Sequence, residues 1–205
     1  MLVKIPHTLL VGLLVPAYRR HYGPANFLWF SDVALLTTLL ALWPESPLLA
    51  SMQAVSVALL ELAWLVDFSG RLLVGTQLIG LAEYMFKREI PLFVRGLSLF
   101  HVWLPFLLLW LVYRLGYDER AWAAQTLLAR VVLLPRYFLT KPSENIDWAF
   151  GPGGKARTRV APGPYLILIM AFFPACIYFP THLVLKATMP RHLDKGGSGA
   201  NRFRS

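Results

Sequence analysis

The chain has 205 residues, 57% hydrophobic and only 15% charged, against about 45–50% apolar and about 25% charged for an average soluble domain. With a mean hydropathy of +0.53 and apolar runs that fill whole windows of about 20 residues, it reads as a membrane protein. The net charge of +9 lies between the apolar runs and in the tail, which points to anionic lipid as partner and away from nucleic acid. The single Cys176 excludes an intrachain disulfide and a cysteine metal cluster.

The N-terminal stretch carries Lys4 and an apolar run, like a signal peptide, but ends in Pro16, Tyr18, Arg19 and Arg20 without a small-residue cleavage site, so it reads as retained. Thr8 to Ala17 covers only about half of a ~30 Å hydrocarbon layer. Residues 1–24 are therefore expected to lie at the interface.

Spans are then expected near 26–43, 48–68, 72–86, 96–115, 121–139 and 165–186. The third is diluted by Gly75, Gln77, Gly80 and Glu83, so a tilted or re-entrant segment stays open there. The fold class is all-α: a polytopic transmembrane bundle of about six spans, between five and seven, in one domain over residues 1–190. "WPESP", "DFSGR" and "LGYDER" read as short turns between antiparallel neighbours.

Residues 140–164 are too rich in Pro, Gly and charge for lipid and read as an external loop. Residues 191–205 read as a disordered basic tail. Alternating the loops places eleven Lys and Arg on the side of both termini against eight opposite, a bias toward cytoplasmic termini. No repeat, GxxxG pair, Walker loop, dinucleotide fingerprint, HExxH or GxSxG elbow is present.

The informative groups are the polar ones inside the spans: Asp32, Glu61, Glu83, His101 and Arg130. An ionised side chain at mid-membrane costs about 2.5–3.5 kcal/mol on insertion scales, so these must turn inward. Glu61 and Arg130 fall about halfway through their spans. They read either as a registry-fixing ion pair or as a titrating carboxylate beside an anion clamp.

In "RGLSLFHVWLPFLLLWLVYRLGY" (95–117), Arg95, Ser98, His101 and Pro105 form one helical stripe. Pro105 removes the hydrogen bond to the His101 carbonyl and is expected to kink the helix. His101 is either a hydrogen-bonded core residue, joined to Asp32 or Glu61, or a general base whose tautomer a carboxylate sets. His7, His21, His182 and His192 give no metal-ligand spacing with it, so no metal or other cofactor is expected. With six crossings Asp32 and His101 fall toward opposite leaflets, whereas a re-entrant 72–86 puts them on the same side.

The run "HVWLPFLLL" (101–109), followed by "FGPGG" (150–154), resembles the His, Leu-Pro-Phe and Gly-Pro-Gly features of the androgen-induced family of multi-helix membrane hydrolases. The resemblance implies a Thr and His pair acting on lipid esters. No threonine matches the nucleophile, and Ser31 is the hydroxyl nearest its place.

These readings converge on an enzyme acting on a lipid-like substrate. His101, Asp32, Ser31 and Glu61 are its catalytic candidates, and Arg130, Ser98, Asn145 and Arg95 its binding candidates. Asn145 belongs to "SENIDWAFGP", either an interfacial turn anchored by Trp148 or a lid that contributes Asn145 or Asp147 to a ligand site. A proton-coupled carrier and an accessory subunit of a larger complex or homo-oligomer remain as alternatives.

Overall fold

The computed structural model describes residues 2–142, 144–151 and 160–192. Among these the regular structure is helical: α1 (Lys4–His21), α2 (Phe30–Leu42), α3 (Pro47–Val74), α4 (Leu92–Leu97), α5 (Phe100–Leu115), α6 (Ala121–Leu139), α7 (Pro162–Phe172) and α8 (Phe179–Thr188). Three helices are long and apolar enough to cross a membrane: α3, the continuous Leu92–Leu115 run of α4 and α5, and Pro162–Thr188, in which a π-helical turn at Phe173–Tyr178 joins α7 to α8.

α3 is the central post, packed against α2, α5, α6 and α8. Ser46 starts it by accepting the Leu49 amide, Pro47 takes the first turn where no donor is needed, and Gly75 ends it in the left-handed region at φ 74°. At ~1.5 Å per residue its 28 residues span about 42 Å. Residues 50–58 are buried on every face.

The third expected span does not exist. α3 runs on through 72–74, and 75–82 then folds back irregularly into a short 3-10 turn, Glu83–Phe86. Asp67 drives this: its carboxylate accepts the backbone amides of Leu78, Ile79, Gly80 and Ala82 at 2.7 to 3.1 Å. One buried side chain thus satisfies four donors that a helix or strand would otherwise have to pair.

Nor does α1 lie across the bundle. It packs along α2 and α4, with Lys4 bound to Glu45 and to the Trp43 carbonyl at one end and Tyr18 bound to Ser98 at the other. Its outward residues Ile5, Leu9 and Leu13 are apolar and exposed, while Val11, Leu14 and Tyr18 are in the core.

Pro105 lies inside an unbroken α5, and the helix break falls earlier, at Ser98–Leu99. The 116–120 turn is tied to the segment after α8 by Tyr117, whose amide donates to the Pro190 carbonyl and whose carbonyl accepts the His192 amide. A Cβ on Gly116 would stand 2.5 Å from the His192 Cα, so this approach needs glycine.

With 72–86 no longer crossing, α2 and α5 start at the same end of the bundle. Residues 21–29, 75–91, 140–142, 144–151 and 160–161 share that end. The 43–46 and 116–120 turns share the other with residues 2–3 and 189–192. "FGPGGK", beyond Gly151, and the tail, beyond His192, lie outside the described residues.

Candidate functional site

The interior at the 75–91 end is polar. Glu61, in the middle of α3, and His101, in the first turn of α5, meet at 2.6 Å between Oε2 and Nδ1, with side chains 3% and 12% exposed. Trp64, one turn beyond Glu61, stacks on the imidazole at 4.7 Å, and Phe100 stacks on it at 4.1 Å. The ring is therefore fixed by a carboxylate at one nitrogen and by aromatic packing on its plane. Its Nε2 has no hydrogen-bond partner among the described residues.

Asp32, in the first turn of α2, is buried. Asn26 donates to its Oδ2 at 3.0 Å, while among the described residues Oδ1 has no hydrogen-bond partner, and neither has the buried Tyr22 hydroxyl. Asp32 feels the charges of Asp147 and Glu61, which places it in the same interior cluster as the dyad.

A hydroxyl group of contacts lies alongside. Ser98 donates to the Val94 carbonyl, which leaves the Tyr18 hydroxyl as donor to Ser98 at 2.5 Å. Tyr84, from the turn that Asp67 folds, reaches the same serine.

The third piece comes from the long loop. Asp147 is inserted into the bundle end, where it caps α2 by accepting the Phe30 amide at 3.0 Å and pairs with Arg136 of α6 at 2.6 Å. Arg136 is fully buried, with its guanidinium 4.9 Å above the Phe30 ring. Burial pushes the Asp147 carboxyl up to about 6 even though Arg136 and the Phe30 amide pull it down. The turn is strained: Asn145, Asp147 and Trp148 have φ of 39°, 43° and 60°.

Of the residues singled out from sequence, Glu61 and His101 are bonded, and Asp32 and Ser98 lie in the same cluster. The Glu61–Arg130 pair does not form. Glu61 bonds His101, and Arg130 is exposed on the outer face of α6. Arg95 donates to the Met85 carbonyl at 2.9 Å, binding the 83–86 turn. Asn145 holds its own loop, bonding the Gly151 carbonyl and the Phe150 amide. Ser31 is half-buried and forms no hydrogen bond with His101.

Tyr18, Tyr22, Asn26, Tyr84 and Arg136 were not singled out from sequence as members of this cluster, and Asp147 only as the alternative to Asn145 in a lid. The available signal was the proximity of Arg136 to a helix end and of Asp147 to the aromatic Trp148. Among the described residues no group of three or more His, Cys, Asp or Glu could hold a metal ion.

Comparison with protein-family models, with curated proteins and with solved structures finds no significant match.

Proposed function

We propose that this protein is a multi-pass membrane enzyme acting on a lipid-like substrate, with His101 as general base and Glu61 holding its tautomer and balancing the imidazolium. The observation that carries the reading is the 2.6 Å Glu61–His101 contact within the bundle. A carboxylate on Nδ1 leaves Nε2 as the nitrogen that takes a proton.

Neither Ser31 nor Ser98 is bonded to His101. The reading therefore uses water or a substrate hydroxyl as nucleophile, and not the covalent pair that the hydrolase resemblance would supply. Asp32, with a free oxygen among the described residues, is a candidate acceptor from the substrate, and the Tyr18–Ser98–Tyr84 hydroxyls are candidate polar contacts to it.

In this reading six helical passes cross the bilayer: α1, α2, α3, α4 with α5, α6, and α7 with α8. The loops then regroup. Among the described residues, Arg19, Arg20, Arg71, Lys87, Arg88, Arg95, Arg136 and Lys141 fall on the side of the site, eight against five at the other end. The positive-inside tendency puts the site toward the cytoplasm and the termini outside, the reverse of the orientation expected from sequence.

The test is a lipid comparison between membranes with the intact protein and with His101→Ala or Glu61→Gln variants that still fold. One lipid class should change in both variants, and identical profiles would overturn the reading.

A proton-coupled carrier is the second reading, favoured by three interior carboxylates, Asp32, Glu61 and Asp147, that feel one another's charge. Proton uptake into vesicles, with the lipid profile unchanged, would favour it. An accessory role would need every polar group paired, and the free Asp32 oxygen and Tyr22 hydroxyl count against that.

A further inference from the structure

Arg130 and Glu83 are the interior-span charges expected from sequence that the bundle leaves outside, and of the two only Arg130 lies on a long helix, Glu83 pairing with Lys87 in the 83–86 turn. Arg130 sits nine residues into α6, about 14 Å from the start of that helix, is exposed, and makes no ion pair or side-chain hydrogen bond among the described residues. A lone cation at this depth costs about 2.5–3.5 kcal/mol unless something neutralises it.

The surface beside it is concave. Arg130, Trp122, Met170, Ala171, Pro174 and Phe179 line a groove of about 440 Å³, a volume in the range of small-molecule sites, about 300–1,000 Å³. The groove follows from the local sequence. Pro174 and the π-helical turn at Phe173–Tyr178 distort the α7–α8 helix, Ala171 and Ala175 leave no bulk, and Trp122 closes one end by donating to the Pro174 carbonyl at 3.3 Å.

We propose that this groove binds an anionic phospholipid, its acyl chain along the apolar wall and its phosphate paired with Arg130. The inference rests on the membrane-spanning reading and not on the enzymatic one. Three observations select this occupant. Trp122, Thr126 and Arg130 fall on one face of α6, and a helical side chain leans toward the helix N-terminus, which directs Arg130 along the stripe toward Trp122 and the bilayer surface at the start of α6.

Guanidinium pairs bidentately with phosphate, and Trp122 is placed as interfacial anchors are. A second copy of the chain offers no counter-charge. Its exposed carboxylates among the described residues, Glu45, Glu83, Glu89, Glu119 and Glu144, all lie in the turns at the bundle ends.

The test is native mass spectrometry of the full chain in phosphatidylcholine nanodiscs that contain a minor fraction of phosphatidylglycerol, after alkaline carbonate extraction has checked integration. The intact protein should retain phosphatidylglycerol selectively, and glycerol 3-phosphate should not displace it. Arg130→Gln should lower retention about tenfold, as loss of a charge-assisted bond implies. Arg130→Lys should recover part of it. Ala175→Leu, which fills the groove and keeps the charge, should also lose it.

Equal retention by Arg130→Gln and the intact protein overturns the proposal, as does a carboxylate-bearing protein cross-linking to position 130 in native membranes in place of lipid. Release of the chain by carbonate would overturn the spanning reading as well. An integral protein without selectivity overturns only the lipid site.

Discussion

Glu61 Oε2 and His101 Nδ1 are 2.6 Å apart across the α3–α5 contact, at the point where Trp64 and Phe100 flatten the imidazole between them. α3 and α5 form the most extensive helix pairing in the molecule, so the dyad fixes register as well as offering chemistry. Its two roles separate by mutation. Glu61→Gln leaves an imperfect hydrogen bond at His101 Nδ1, with a cost of about 1–3 kcal/mol. A Glu61→Gln, His101→Gln double-mutant cycle read by thermal unfolding in detergent should give a coupling of about 0.5–3 kcal/mol. Additive losses would mean that the contact does not hold the helices.

Asp67 should be the more damaging surface-end substitution. Asp67→Ala strands four amides that no other acceptor serves, each worth about 1–3 kcal/mol when buried and unpaired. The expected result is local: residues 76–82 should become sensitive to protease and to hydrogen exchange while α3 stays protected. The Tyr84 contact to Ser98 should go with them. Unchanged protection of 76–82 would remove Asp67 as the organiser of this end.

The expectations that held were those carried by local hydropathy: the bodies of α3, α5 and α7–α8, whose apolar runs exceed a bilayer's thickness. Those that failed depended on distant partners. Nothing in "LVGTQLIGLAEYMF" says that a carboxylate eight residues before Gly75 collects its amides. Local composition therefore suggested a diluted span where the chain turns back. The Asp147–Arg136 pairing was invisible for the same reason: Asp147 stood out only as one of two residues a lid would contribute, Arg136 sits where loop charge is ordinary, and only the fold brings the two under Phe30. The Glu61–His101 bond was legible because lipid penalises both groups and the choice of inward partners is short. Arg130 was misread because the same penalty can be met from outside the chain.

The buried loop acid carries a pH signature. Asp147 has its carboxyl raised to about 6 in the fold, against about 3.9 unfolded. Between these values the native state therefore holds the proton that the unfolded chain has lost. Its contribution favours the fold below about pH 4, falls as pH rises, and is gone above about pH 6, a swing on the order of 3 kcal/mol. Asp147→Asn keeps an acceptor for the Phe30 amide and removes the titration. The difference in unfolding midpoint between the intact protein and this variant should therefore change with pH only across that window. A constant offset from pH 4 to pH 7 would show that Asp147 is not held in an apolar setting.

The path of the chain gives the last prediction, because the six-pass reading and the sequence-based count disagree about which turns share a side. With Cys176 replaced by serine, single cysteines can be placed at His21, Glu89 and Glu119, all exposed. If α3 turns back at Gly75 without a further crossing, positions 21 and 89 label from one side of sealed vesicles with a membrane-impermeant maleimide, and 119 from the other. A crossing at 72–86 with an interfacial N-terminus would instead group 21 with 119. The charge distribution adds that positions 21 and 89 should be the cytoplasmic pair, since the basic loops gather at that end. Labelling of 21 and 89 from outside intact cells would keep the fold but invert the membrane, and would place the Glu61–His101 end toward the exterior.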